Sequence, residues 1–202
     1  MVYPTDTFSS FMWDEPKPKY TYTFIALCIL FYALSQFTAI ERYMLYIPSY
    51  TLYYPWTTIT ALFMHVDLEH LFYNMLALLI FGSILERRIG NQEFAALYLL
   101  SGIIGNIGYY LTAVNPHIPV VGASGAIYGI VGTLAVLEPF RLVYIYGLMP
   151  IPMIGAALLW TLGDIAGLFS PGTVAHGAHL AGIFIGVIAG FIYRRRPRAL
   201  LI

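Results

Sequence analysis

Six apolar segments, separated by polar or proline-containing turns, constrain the fold of this chain more than any other feature of its sequence. We predict helices over residues 21–40, 67–85, 92–113, 124–137, 153–168 and 175–193. Only 10% of the 202 residues are charged, whereas a soluble domain carries about 25%. The sequence therefore predicts an all-α membrane protein in which six transmembrane helices form one bundle.

The remaining residues divide into two tails and one long loop. We expect an N-terminal tail at 1–20, a six-helix membrane domain at 21–193 and a basic C-terminal tail at 194–202. The tail at 1–20 is polar and does not resemble a cleavable signal peptide. Residues 41–60 are rich in tyrosine and are interrupted by prolines, so we expect a partly helical first loop embedded in one leaflet.

The distribution of lysine and arginine predicts the orientation. With six spans, nine of the ten Lys and Arg residues lie on the same side as both termini, and Arg42 alone lies on the other. The positive-inside rule then makes both termini cytoplasmic. We expect an integral protein of the plasma membrane of a prokaryote. The formal net charge of zero argues against a nucleic-acid partner.

The fourth segment is too short to cross a membrane. It begins at Ser124 and ends before Glu138-Pro139, because proline disfavours helical geometry in the residue before it. About 14 residues cover ~21 Å, whereas the hydrocarbon core is ~30 Å thick. Ser124 is thus expected below the outer surface, where its hydroxyl needs a polar partner.

Other polar residues are predicted at the same depth, because the second, fourth and sixth helices all enter from the outer side. The outer parts of the second and sixth helices carry the following residues: His65, His70 and Asn74, and His176 and His179. Small residues at every fourth position, which let membrane helices approach closely, recur on the fourth and sixth helices. These positions are Gly125, Gly129, Gly182 and Gly186.

Close packing of these glycine faces would bring Ser124 to the imidazole of His179, which suits a nucleophile and its base. Tyr128, one turn below Ser124, could pack against that imidazole. Asp164 is the only carboxylate available to orient His179, and the simpler prediction is a Ser–His dyad without it.

An oxyanion needs hydrogen-bond donors. His70 and Asn74 share a helical face and can supply ring and amide N–H groups. The backbone N–H of Ser124 is also free, because it opens a helix.

The combined motifs resemble the rhomboid family of intramembrane serine proteases over about residues 56–190. The matching residues are His65-x4-His70-x3-Asn74, Glu86-Arg87-Arg88-Ile89-Gly90, Gly122-Ala123-Ser124-Gly125 with Tyr128, and Ala178-His179-Leu180-Ala181-Gly182-x3-Gly186. The resemblance implies a six-helix rhomboid-like bundle and a serine endopeptidase that uses no cofactor or metal. Its substrates would be transmembrane segments of other proteins, cleaved near the outer face of the lipid bilayer. By resemblance, Ser124 is the nucleophile, His179 the base, and His70 and Asn74 form the oxyanion hole.

Alternative interpretations remain for single residues and for the whole chain. His65 is predicted to be structural, and Glu86 and Arg87 to form a structural or solvated turn. The chain could be a non-proteolytic relative that binds transmembrane segments, although such relatives usually lose the serine or the histidine. It could also be a small channel or metal transporter lined by histidines. The sequence gives no prediction of the oligomeric state.

Overall fold

The computed structural model describes residues 17–145, 148–170, 172 and 174–195, and this part of the chain is mostly helical. Predictions for residues 1–16, for Pro171 and for 196–202 lie outside the described residues. The helices are α1 (Lys19–Ser35), α2 (Glu41–Met44), α3 (Thr57–Thr60), α4 (Leu68–Ile89), α5 (Asn91–Thr112), α6 (Ser124–Leu137), α7 (Met153–Gly167) and α8 (His176–Arg194).

Six of these helices are apolar and correspond to the six predicted segments. Among the described residues, α4, α5 and α8 are long and apolar enough to cross a membrane by length and composition. The other three, α1, α6 and α7, are shorter, with 17, 14 and 15 residues. The predicted class, a protein of apolar helices, is confirmed. The number of helices that cross the membrane stays a prediction.

The all-α prediction is wrong in one segment, between α6 and α7. Strand β1 (Leu142–Ile145) pairs antiparallel with β2 (Met149–Pro152). Pro150 and Pro152 lie two residues apart in β2, so both face the same side of the ladder. The pair has no further strand beside it among the described residues. Prolines are tolerated in such a strand, because their missing N–H groups can point away from the partner.

Helix α6 lies at the centre of the bundle, and most of its residues are buried. Its glycine-rich face packs against α8 and α5, and its other contacts are with α7 and α4. Thr133 Oγ1 lies 2.9 Å from the carbonyl oxygens of both Gly129 and Gly186, and so links α6 to α8. A small-residue surface lets the backbones of membrane helices approach in this way.

The first loop braces the entrance to α6. It contains α2, α3 and two short 3₁₀ turns, Pro48–Tyr50 and Ala61–Phe63, so it is partly helical as predicted. The N–H of Val120 donates to Tyr46 O at 2.8 Å, and the N–H of Gly122 donates to Ala61 O at 2.9 Å. These bonds fix the segment that precedes Ser124. The position of the loop relative to a leaflet stays a prediction.

Glu86 does not lie in a solvated turn, because helix α4 continues through it to Ile89. The side chain is fully buried and accepts three hydrogen bonds at the start of α1: from the N–H groups of Tyr20 and Thr21 and from Thr21 Oγ1, at 2.7–2.8 Å. A carboxylate in this position satisfies free N–H groups and interacts favourably with the helix dipole. Arg87, the neighbouring residue, is exposed.

Candidate active site

Ser124 opens helix α6, and the backbone conformation just before it requires a glycine. Gly122 has a φ of 119°, a backbone conformation that favours glycine, and the ring of His70 fills the space where a β-carbon would project. Both constraints require glycine two residues before the serine. The serine side chain is only partly buried.

The structure brings Ser124 and His179 into contact. Ser124 Oγ lies 2.9 Å from His179 Nε2, a hydrogen-bond distance between residues that are 55 positions apart in the chain. The ring of Tyr128 stacks on the imidazole, with centroids 4.2 Å apart and planes inclined by 9°. The tyrosine therefore fixes the plane of the ring that faces the serine.

Backbone contact between α6 and α8 produces this geometry. A methyl group at Gly182 would overlap the carbonyl oxygen of Gly125, and one at Gly186 would overlap that of Gly129. At Gly125 itself a methyl group would lie at an ordinary van der Waals distance, 3.5 Å, from the nearest backbone atom of α8. The close approach thus depends more on the glycines of α8 than on Gly125.

Asp164 on α7 lies beside His179, a position that we did not expect from the sequence. Its Oδ1 is 2.9 Å from His179 Nδ1 and 2.6 Å from His176 Nδ1, and the residue is only 4% exposed. Asp164 lies 15 residues before His179, and this spacing corresponds to no sequence motif that would have predicted the contact. The packing of α7 against α8 brings the two side chains together, and no local sequence pattern specifies that packing.

The two residues predicted as oxyanion donors lie on α4, which packs against α6. The ring of His70 contacts Gly122, and the backbone N–H of His70 donates to Asp67 Oδ1 at 2.7 Å, which caps α4. Asn74 is buried and its Nδ2 donates to the carbonyl oxygen of His70 at 2.8 Å. One amide hydrogen of Asn74 is thereby used, and the second is available to a ligand.

His65 lies behind His70 in the first loop and is 4% exposed. The two imidazole rings meet edge to face, with centroids 5.1 Å apart. Burial, with a smaller contribution from His70, lowers the pKa of His65 from 6.5 to about 3. The ring is therefore neutral at physiological pH, as suits a structural residue.

A cavity of about 190 Å³ adjoins Ser124 on the side of α4 and α7. It is lined by Tyr73, Asn74, Ala77, Phe81, Ser124, Ile127, Tyr128, Val131 and Trp160. Seven of these nine side chains are aromatic or aliphatic, and Asn74 and Ser124 provide the polar groups. A mainly apolar cavity with a few polar groups is typical of a ligand site.

Within the described residues, one group of three side chains of the types that can bind a metal ion lies close together. The ligand atoms of Asp164, His176 and His179 lie within 4.8 Å of one another. The Nδ1 atoms of both rings already form hydrogen bonds with the carboxylate. We keep the prediction that the site works without a metal, and loss of activity with a chelator would contradict it.

These features define a class: a polytopic helical membrane protein with a paired serine and histidine beside an apolar cavity. The rhomboid domain model matches residues 53–196, which is more than half of the chain. The chain belongs to the rhomboid family, and the resemblance found in its motifs is confirmed.

Individual relatives agree with this assignment. YdcA of Bacillus subtilis is 34% identical over 140 residues, which cover 68% of this chain and 66% of YdcA. Rhomboid protease GluP of the same organism is 34% identical over 136 residues, 61% of this chain and 25% of GluP. Rhomboid protease GlpG of Haemophilus influenzae is 28% identical over 183 residues, 86% of this chain and 90% of GlpG. The chain thus spans less than two thirds of YdcA and of GluP, but most of GlpG.

Proposed function

We propose that this chain is an intramembrane serine endopeptidase that cleaves transmembrane segments of other proteins near the outer membrane face. The 2.9 Å contact between Ser124 Oγ and His179 Nε2 carries this proposal. A hydroxyl paired with an imidazole is the arrangement that activates a weak nucleophile. The names of the relatives GluP and GlpG, both rhomboid proteases, support the same activity.

In the proposed reaction, Ser124 Oγ attacks the carbonyl carbon of the scissile peptide bond and gives its proton to His179 Nε2. The tetrahedral intermediate collapses when the C–N bond breaks, and His179 returns the proton to the leaving amine. A water molecule then attacks the acyl ester of Ser124, His179 accepts one of its protons, and the serine is regenerated. No cofactor enters these steps.

The oxyanion of each tetrahedral intermediate needs hydrogen-bond donors close to Ser124. We assign this role to the second amide hydrogen of Asn74, to the ring of His70 and to the backbone N–H of Ser124. The contact of His70 with Gly122 supports its assignment, since it holds the ring beside the start of α6. Preorganised donors of this kind stabilise the developing charge.

The cavity beside Ser124 supports entry of a substrate segment between α4 and α7. Phe81 of α4 and Trp160 of α7 both line it and contact each other edge to face, with ring centroids 5.9 Å apart. An edge-to-face aromatic contact is weak enough, about 0.5–1.5 kcal/mol, to open. A helix must unwind before its peptide bonds can be attacked, because its backbone is hydrogen-bonded to itself.

The orientation is proposed from the charges. Arg88 and Arg141 both pair with Glu138, at 3.9 and 2.7 Å, so the basic last turn of α4 and the basic segment after α6 meet at one end of the bundle. We assign this end to the cytoplasm, with both termini, and the entrance to Ser124 to the outer side. The membrane would be the plasma membrane of a prokaryote.

The proposal is tested with purified protein reconstituted in liposomes together with a transmembrane substrate. We expect Ser124→Ala and His179→Ala each to abolish cleavage, and the double variant to be no worse than either one. A fluorophosphonate should label Ser124. Ser101→Ala is the matched control, because Ser101 is a serine on the neighbouring helix α5 whose hydroxyl has no hydrogen-bond partner among the described residues. Cleavage by Ser124→Ala at the wild-type rate would exclude the proposal and favour a non-proteolytic relative.

A further inference from the structure

A single carboxylate oxygen joins two histidines at the base of the candidate site. Asp164 Oδ1 lies within hydrogen-bond distance of His179 Nδ1 and of His176 Nδ1, and the opposite ring nitrogen of His179 contacts Ser124. The Asp164 side chain is 5% exposed and that of His179 12% exposed, so water competes little for these bonds. Ser124, His179 and Asp164 therefore form a continuous chain of hydrogen bonds.

We propose that Asp164 is a positioning residue that holds His179 in its base-competent tautomer; this inference rests on the proposed peptidase function. A neutral imidazole carries one proton, on either Nδ1 or Nε2. His179 can accept the proton of Ser124 only if Nε2 is unprotonated, so its own proton must lie on Nδ1. A carboxylate next to Nδ1 accepts that N–H group and thereby selects this tautomer.

Asp164 also stabilises the charged intermediate state. When Ser124 attacks, His179 becomes an imidazolium with both nitrogens protonated. The negative charge of Asp164 lies 2.9 Å from Nδ1 and favours this cation, whereas an uncharged partner would not. The proton stays on His179 until the leaving amine takes it, so Asp164 acts through the histidine and does not contact the substrate.

His176 has a different role, because its Nδ1 contacts the carboxylate while the imidazole that contacts Ser124 is that of His179. Its ring lies at 87° to that of His179, with centroids 6.4 Å apart. A side chain at Gly167 would overlap the His176 ring, so this glycine provides the space in which the ring lies. We infer that His176 supplies a second hydrogen bond that keeps Asp164 Oδ1 beside His179.

Titratable groups on α4, α6, α7 and α8 lie near His179, and each contributes to how its protonation depends on pH. They are His70 on α4, Tyr128 on α6, Asp164 on α7 and His176 on α8. Of these, Asp164 is the only carboxylate. Its removal should therefore change the pH profile in one direction: the imidazolium loses its counter-charge, and the acid limb of activity moves to lower pH.

The test compares Asp164→Asn and Asp164→Ala with His176→Gln, which keeps an amide donor for Asp164. We measure the fluorophosphonate labelling rate, kcat and KM for a transmembrane substrate, and the melting temperature, each between pH 5 and 9. Both Asp164 variants should lose about 10²- to 10⁴-fold in kcat and in labelling rate, with KM within about threefold of the wild type. Their residual activity should have its acid limb at lower pH. His176→Gln should lose less than about tenfold.

Wild-type kcat in Asp164→Asn, or a loss that follows melting temperature while the acid limb stays in place, would overturn the inference. The catalytic controls separate this failure from failure of the proposed function. If Ser124→Ala is inactive while Asp164→Asn is fully active, only the inference fails. If Ser124→Ala cleaves like the wild type, the proposed function fails and the inference fails with it.

A measurement on the unmodified protein is independent of how the Asp164 variants fold. In protein labelled with ¹⁵N-histidine, at pH 8 in detergent, the resonances of His179 are assigned by their loss in His179→Gln. We expect the proton on Nδ1, and the same tautomer in Ser124→Ala. A proton on Nε2 in the wild type would overturn the inference.

Discussion

Gly182 of helix α8 lies so close to the carbonyl oxygen of Gly125 in helix α6 that a single methyl group would overlap it. The obstacle is backbone, which cannot move away as a flexible side chain can. Gly125 directly follows Ser124, and Gly182 lies about one helical turn after His179. The contact therefore sets the separation of the two helices at the candidate site.

We therefore expect Gly182→Ala to separate α6 from α8 and to lower kcat by at least about 100-fold, since a displacement of ~1 Å between reacting groups has that effect. The free energy of unfolding should fall by about 1–3 kcal/mol. Gly163→Ala is the matched control, because a methyl group there would meet nothing within 4 Å. Activity of Gly182→Ala equal to that of the control would contradict the role of backbone contact.

Asn74→Ala should lower kcat by about 10- to 1000-fold if the amide donates to the oxyanion, with KM little changed. The control is Asn106→Ala. Asn106 is also a buried asparagine of a membrane helix, but its Nδ2 donates to Thr58 O in the first loop. We expect this variant to lose stability while its kcat per folded molecule is retained. Normal turnover in Asn74→Ala would remove Asn74 from the mechanism.

A covalent link between α4 and α7 should block entry of a substrate segment. In the variant Phe81→Cys/Trp160→Cys, a short cleavable thiol cross-linker should lower cleavage of a transmembrane substrate by at least about tenfold. Labelling of Ser124 by a small fluorophosphonate should continue. The native Cys28 is fully buried, and the single-cysteine variants control for its reaction.

Cleavage of the cross-linker should restore activity, which separates the effect of the link from the effect of the two substitutions. Full activity of the cross-linked protein toward a transmembrane substrate would exclude entry between α4 and α7.

Glu86→Gln should destabilise the protein without changing the chemistry. The carboxylate accepts three hydrogen bonds from the first turn of α1, and an amide would present a donor where only acceptors are needed. Loss of a buried charged acceptor costs about 1.5–3 kcal/mol. We expect that decrease in the free energy of unfolding in detergent, against less than about 1 kcal/mol for Glu69→Gln at an exposed position. An unfolding free energy equal to that of the wild type would show that the cap contributes nothing.

The sequence predicted the helical segments, and it placed their ends correctly where local chemistry decides them. Helix α6 begins and ends at the predicted residues, Ser124 and Leu137. Its end is explained by the proline that follows it closely. Helix α1 ends at Ser35 rather than at residue 40, and α4 continues through the predicted turn at Glu86. The reason for the second difference is tertiary: the carboxylate caps another helix, 65 residues away in the chain.

At the candidate site, the sequence determined which residues could meet. Spacings of three or four residues set His70 and Asn74, or Ser124 and Tyr128, on one helical face, and spaced glycines marked the faces that touch. Such local periodicity is a property of a single helix. It predicted which polar residues could share a site, and the motifs that contain these residues identified the family of the chain.

Only the tertiary structure decided which face each helix presents to its neighbours. The position of Asp164 relative to His176 and His179 depends on the packing of α7 against α8 and on the space left by Gly167. The antiparallel pair of β1 and β2 likewise depends on pairing between two separate segments of the chain. Periodicity fixes directions within one helix, whereas the rotation of a helix about its axis is set by packing with its neighbours. For that reason the contact of Asp164 with two imidazoles had no signature in the sequence.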